Sequence, residues 1–243
     1  MTHLRLDRLM SNLGYGSRKE IAQVVKAGRV SFHGVILAKA DVAIAISDVR
    51  SGALTFDGTQ LDPPSPLTVM FHKPGGYTCS HEEKGAIVYD LLPPRWRARN
   101  PVLSCAGRLD KDSTGQLILT DDGDLLHRIT HPKNHAAKHY EVTLRNDLRG
   151  DEAALFATGT FLMEDDTKPL KPAVWTPTGT RSGRMILQEG RFHQIRRMFA
   201  ALGNLVTALH RYQTGNLPLL DLKPGDYRIL TEPDIQAILQ RET

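Results

Sequence analysis

The 243 residues allow one large or two small domains with a real core, and 40% hydrophobic with 24% charged residues is ordinary globular composition. A net charge of +4 permits a polyanionic partner without demanding one. Cys79 and Cys105, the only cysteines, have no metal spacing and form no disulfide framework; no apolar run is long enough to span a membrane; "MTHLRLDRLM" has no long apolar stretch of a secretory signal. The expected setting is a reducing cytoplasm.

From the amino terminus, Leu6, Leu9, Met10 and Leu13 recur at helical spacing, and Gly14 and Gly16 end that helix. Ser17 opens a second helix with Glu20 three residues on as a capping box, Ile21, Val24 and Val25 as its apolar stripe, and Gly28 at its close. "RVSFHGVILA" predicts a hairpin turning at His33-Gly34. Up to residue 29, Arg5, Arg8, Arg18, Lys19, Lys26 and Arg29 face only Asp7 and Glu20, a pattern suited to a phosphate backbone.

"DPPSP", residues 62–66, is the expected linker, because its prolines break both helix and sheet. It separates a domain over 1–61 from a larger one over 67–243. In the larger part "LTVMF", "QLILT", "HYEVTL", "PAVWTP", "RMILQ" and "YRIL" predict strands. "AIVYDLL", "DEAALFATG", "RFHQIRRMFAALG" and "TEPDIQAILQ", the last capped by Thr231, predict helices. The order does not alternate strictly, so the expectation is α+β with a mixed, mainly antiparallel sheet. No glycine-rich phosphate loop is present.

Three stretches carry candidate chemistry. His127, His131, His135 and His139 stand four apart, but Pro132 interrupts the helix that would align them, so no metal site is expected. In "AGRLDKDSTGQLILTDDG", residues 106–123, glycines shape a loop around Asp110, and Ser113 and Thr114 can fix it through hydrogen bonds. Asp110 and Asp112 are too close in one loop to oppose each other across a glycosidic bond. In "EGRFHQIRRMFAALG" the stripe Ile195, Met198, Phe199 and Leu202 marks a core face. Arg191, His193, Arg196 and Arg197 lie off that stripe at the helix start, where the dipole disfavours them unless an acid or a phosphate answers.

The first sixty residues resemble an S4-type RNA-binding domain, on two short helices followed by "GRVSFHGVILAKADVAI". "GRLDKDSTGQLILTDDG", "KHYEVTL", "EGRFHQIRRMF" and "FHKPGGYTCS" resemble, in order, the signature segments of the rRNA pseudouridine synthases. "HRITHPKNHAAKHY", "LKPA" and "LKPGDYRILTE" resemble best the small-subunit (16S) rRNA uridine synthase, the RsuA type. Gln116 departs from the pattern, which has Leu there. The resemblance implies the pseudouridine synthase fold, isomerisation of uridine to pseudouridine without a cofactor, and ribosomal RNA or a small-subunit assembly intermediate as partner of a monomer. It assigns the central role to Asp110, with Arg196 as bidentate partner of its charge and Tyr140 stacking on the uracil. Arg108, Lys73, Arg191 and Arg197 are expected on the RNA, together with the six cations of the first domain. A non-catalytic RNA-binding assembly factor is the alternative.

Overall fold

The computed structural model describes residues 2–82, 84–131, 136–163 and 166–240. The chain divides into two units: Met1–Thr68 with Leu92–Ser104 and Thr120–Gly123, and Val69–Leu91 with Cys105–Leu119 and Asp124–Thr243.

The first unit contains β1 (His3–Arg5), α1 (Leu6–Asn12), α2 (Arg18–Lys26), β2 (Val30–Phe32), β3 (Val35–Ile36), β4 (Ala43–Ala45), α3 (Ile46–Arg50), β5 (Leu54–Phe56) and β6 (Thr59–Gln60). Both bonds of the Ser17–Glu20 capping box form and start α2. Leu6, Leu9, Met10, Leu13, Ile21 and Val25 bury the facing sides of the two helices. His33 and Gly34 both adopt positive φ, 48° and 78°, which folds β2 back on β3 with the twist a tight hairpin needs. One sheet pairs β1 with β4 and the other runs β3-β2-β5-β6.

Residues 62–66, the expected linker, lie within this unit. Their prolines have no N–H for a ladder, but the neighbouring polar groups are taken. The Asp62 N–H donates to the Tyr15 hydroxyl (3.1 Å), and Arg99 Nη2 donates to the Pro63 carbonyl (3.0 Å). Asp121 accepts from Ser65 Oγ and the Leu67 N–H, and forms with Arg99 a fully buried ion pair at 3.0 Å. Such long-range bonds have no local sequence signature.

The remaining elements are β7 (Thr68–Lys73), β8 (Ser104–Cys105), β9 (Thr114–Thr120), α4 (Gly123–Thr130), β10 (Lys138–Leu144), α5 (Glu152–Ala157), β11 (Val174–Gly179), β12 (Ser182–Leu187), α6 (Gln194–Ala201), β13 (Val206–Thr214), β14 (Leu217–Pro218), β15 (Tyr227–Ile229) and α7 (Glu232–Leu239). The sheet runs β11-β12-β10-β13-β9-β7-β15, with β14 on β13 and β8 on β9. β10 is antiparallel to both β12 and β13, whereas β13 meets β9 in parallel. This is the expected α+β architecture with a mixed, mainly antiparallel sheet. Phe156, Trp175, Met185, Met198 and Phe199 fill the core on which α6 packs, with Trp175 and Phe199 edge to face at 5.0 Å.

Two elements escape the sequence pattern. β13, nine residues long, pairs with β10 through two register shifts, so its buried positions 206, 209, 211 and 214 do not alternate. α4 follows directly on β9 and carries only Leu125 and Ile129 as buried residues. α6 also starts late: Arg191 and His193 precede it, and His193 is its left-handed N-cap (φ 50°).

Candidate active site

Asp110 sits between β8 and β9 in a loop whose shape is fixed by the backbone. The Asp110 carbonyl accepts the Ser113 N–H at 3.1 Å, closing a turn. Lys73, at the end of β7, is completely buried, and its ammonium donates to the carbonyls of Pro74 (3.1 Å), Lys111 (2.9 Å) and Ser113 (2.7 Å). Burial lowers its pKa, against the pull of nearby Cys79, Asp112 and Asp110. Lys73 therefore does not reach RNA, contrary to expectation; its donors are spent on the loop around Asp110. At Gly115 φ is 108° and a side chain would collide with the Arg211 carbonyl, because β13 crosses β9 there in parallel register. Arg211, buried on β13, closes the other flank: Nε donates to the Gln116 carbonyl (2.7 Å) and Nη1 to that of Arg108 (3.5 Å).

Gln116 is wholly buried in this arrangement, and its side-chain amide donates to the Leu217 carbonyl at 2.8 Å. The polar departure thus ties β9 to β14, while its Oε1 is buried without a hydrogen-bond partner among the described residues.

The Asp110 carboxylate meets three partners. Arg196 Nε lies 3.2 Å from Oδ2, His193 Nε2 lies 3.5 Å from Oδ1, and Ser113 Oγ donates to Oδ2 at 3.5 Å. The arginine contact is not bidentate. Its other nitrogens donate to Ser113 Oγ (3.4 Å) and to the Val206 carbonyl (3.1 Å), so one guanidinium fixes the acid, its neighbour and the start of β13 together. The carboxylate keeps 28% exposure and opens on a cavity of about 540 Å³, a size that takes a small ligand. Tyr140, on β10 and 8% exposed, lines the same cavity, as do Arg108, Lys138, Cys79 and Phe192.

Two cavity groups without a role in the sequence reading have shifted ionisation. Burial, with Arg211 and Lys171 nearby, holds the Lys138 ammonium pKa down at about 8. Cys79 is lowered by its hydrogen bond with Cys105, which is itself raised by that bond and by burial. Neither signal is legible in sequence, since both need the pocket.

The remaining expected residues separate by environment. Arg191 is held by Asp166 (2.6 Å) and by the carbonyls of Lys168 and Pro169, and Arg197 also reaches Asp166 (2.8 Å). Carboxylates thus answer the basic cluster at the start of α6. Arg108 is exposed and lines the cavity. In the first unit Arg5 and Arg18 both pair with the buried Asp7, at 3.1 and 2.8 Å, and Arg29 pairs with Asp57 at 2.5 Å. Arg8, Lys19 and Lys26 are exposed and without a carboxylate partner among the described residues. Asp112 is exposed and lies off the cavity. Of the four histidines, His127 and His131 lie 4.7 Å apart, His139 is buried on β10, and His135 lies outside the described residues.

Comparison with known proteins bears on the whole chain. Residues 68–201 match the family model of RNA pseudouridylate synthase. The ribosomal small subunit pseudouridine synthase A of Escherichia coli (strain K12) is 38% identical over 243 residues, spanning 97% of this chain and 100% of that protein. An uncharacterized RNA pseudouridine synthase, YtzG, of Bacillus subtilis (strain 168) is 37% identical over 239 residues, 97% of this chain and 98% of its own. A crystal structure of a pseudouridylate synthase superposes with a TM-score of 0.66 at 34% identity, covering 97% of this chain and 99% of the other. The chain has the pseudouridine synthase fold and belongs to the RNA pseudouridylate synthase family, isomerases that act on RNA.

Proposed function

We propose that the protein converts a uridine of small-subunit (16S) ribosomal RNA to pseudouridine, in the cytoplasm and without a cofactor. The observation that carries this reading is the Asp110 carboxylate, open to a cavity and fixed by Arg196 at 3.2 Å. In the reaction the C1′–N1 bond breaks, the uracil turns over, and C1′ bonds to C5. N1 gains a proton and C5 loses one, so nothing else is consumed. Attack by Asp110 on C1′ and removal of a ribose proton both require the ionised carboxylate, and the guanidinium beside it holds that carboxylate in place. Tyr140 stacks on the uracil, which leaves its neighbours in the RNA to enter the cavity; a looped or single-stranded site yields its base at lower cost than a duplex.

The first unit acts as an S4-type RNA-binding module. Its exposed Arg8, Lys19 and Lys26 supply phosphate contacts, while Arg5, Arg18 and Arg29 exchange their carboxylates for phosphates on binding. Arg108 serves the phosphates beside the target.

The test is tritium release from unmodified small-subunit rRNA labelled at uracil C5. Release without free uracil is expected from the wild type, and Asp110→Asn abolishes it while leaving RNA binding unchanged. Binding without release, on both naked RNA and partly assembled subunits, would make the protein an assembly factor. Free uracil would make it a hydrolase.

A further inference from the structure

We propose that Phe192 is a stacking platform for the nucleobase next to the flipped uridine, and so helps decide which uridines are accepted. This rests on reading the cavity as a uridine site. Among the described Phe, Tyr and Trp residues Phe192 is the one left exposed, at 69%, and it lines the cavity that holds Asp110. One face of its ring is already used: it lies 3.8 Å from the His193 imidazole at an angle of 19°. With that face covered and most of the side chain still accessible, the opposite face is open to solvent.

The backbone is arranged to hold this pair. His193 takes a left-handed conformation (φ 50°, ψ 31°), which side chains other than glycine rarely adopt. From there its Nε2 reaches Asp110 Oδ1 at 3.5 Å while its ring backs Phe192. A base laid on Phe192 would continue a stack that ends against the reactive carboxylate. Tyr140 is 8% exposed and Phe192 is 69% exposed, so the two aromatics stand at different depths of one cavity. A uracil that has moved inward to Tyr140 leaves the outer ring for a different base.

Charge supports the same occupant. Arg108 lines the cavity, is exposed, and its side chain has no acceptor among the described residues, so its guanidinium is available to a phosphate linking two nucleotides. A flat, neutral ring and an available cation on the walls of one cavity fit a nucleobase with its phosphate, and stacking favours a purine through its larger face.

The probe is a short, single-stranded, uridine-rich oligoribonucleotide with 2-aminopurine on the 5′ or the 3′ side of a central uridine. Binding to the full-length protein should quench its fluorescence on one of the two sides. Phe192→Ala should remove the quench and weaken binding about tenfold, and Phe192→Trp should restore both. With an abasic unit in place of the purine, wild type and Phe192→Ala should bind alike. Absence of quench in the wild type, binding by Phe192→Ala within twofold of wild type, or an equal loss on the abasic probe would each overturn the proposal; the last would mean that Phe192 acts only by holding His193. The quench does not depend on turnover: Asp110→Asn should retain it. Failure of the isomerase reading, seen as no tritium release, is therefore separable from failure of this one.

Discussion

The cations at the start of the first unit and those that frame Asp110 in the second use positive charge in opposite ways. In the first, Arg8, Lys19 and Lys26 stand exposed, Arg5 and Arg18 pair from the surface with the buried Asp7, and Arg29 pairs with the exposed Asp57. In the second, Lys73 and Arg211 are buried and bonded to main-chain carbonyls, and Arg196 divides its donors among Asp110, Ser113 and Val206. Exposed cations can rearrange, are screened by salt, and contribute affinity for a polyanion. Buried cations bonded to main-chain carbonyls set the position of a loop to within a hydrogen bond's tolerance. The same residue types thus stand free to rearrange in one place and fix a loop in the other.

Three changes break or sharpen that contrast. The largest effect is expected from Lys73→Met, which leaves the three carbonyls of Pro74, Lys111 and Ser113 without their buried donor. Urea unfolding should show a loss of roughly 3 kcal/mol or more, and isomerisation should fall with it because Asp110 loses its fixed loop. Removal of Asp7 should cost less, about 2 kcal/mol for Asp7→Asn, since its two arginines are themselves half exposed.

Asp7 also predicts a pH dependence. Burial raises its pKa, but hydrogen bonds from Arg18, Arg5 and the Arg8 N–H outweigh that and leave the folded value below the usual carboxylate range. The stabilisation is therefore complete above an unfolded pKa of about 4 and is lost as pH falls below it, through the folded value. Thermal unfolding from pH 6 to pH 3 should show the first unit of the wild type weakening at the acid end, and Asp7→Asn should flatten that decline.

The smallest effect on folding should come from Arg8, Lys19 and Lys26 changed together to Gln: unfolding within about 0.5 kcal/mol of wild type, as for exposed charges in general. Affinity for rRNA should nevertheless drop, and the slope of log Kd against log salt should shrink by about 2 for three lost phosphate contacts. Turnover of bound RNA should stay the same. Unchanged binding and slope would remove these cations from the RNA-binding surface.

Local rules carried the sequence reading where the cause is local. The Ser17–Glu20 capping box, the His33-Gly34 turn, the α6 stripe and the Thr231 cap each need only a few neighbouring residues, and each forms. The pairing of Asp110 with Arg196 was legible only through family resemblance, because 86 residues separate them. Lys73 was misplaced on the RNA for a related reason: a lysine is normally solvated, and only the return of the chain at 111–113 supplies the carbonyls that bury it. β13 hid because two register shifts spoil its period, and Arg211 hid with it; the strand of Lys138 was visible, but the burial that depresses its pKa was not. Phe192 falls inside the predicted helix "RFHQIRRMFAALG", but α6 begins only at Gln194 and leaves Phe192 exposed on the cavity wall.

The distance along the chain between Asp110 and its guanidinium has a consequence for synthesis. A chain still emerging from the ribosome has its first unit's helices and its acidic loop long before Arg196 is made. Until α6 is released and folded, no partial product can hold Asp110 in working geometry. A polypeptide cut short before that helix would carry the amino-terminal cations and the acidic loop without the guanidinium that fixes Asp110.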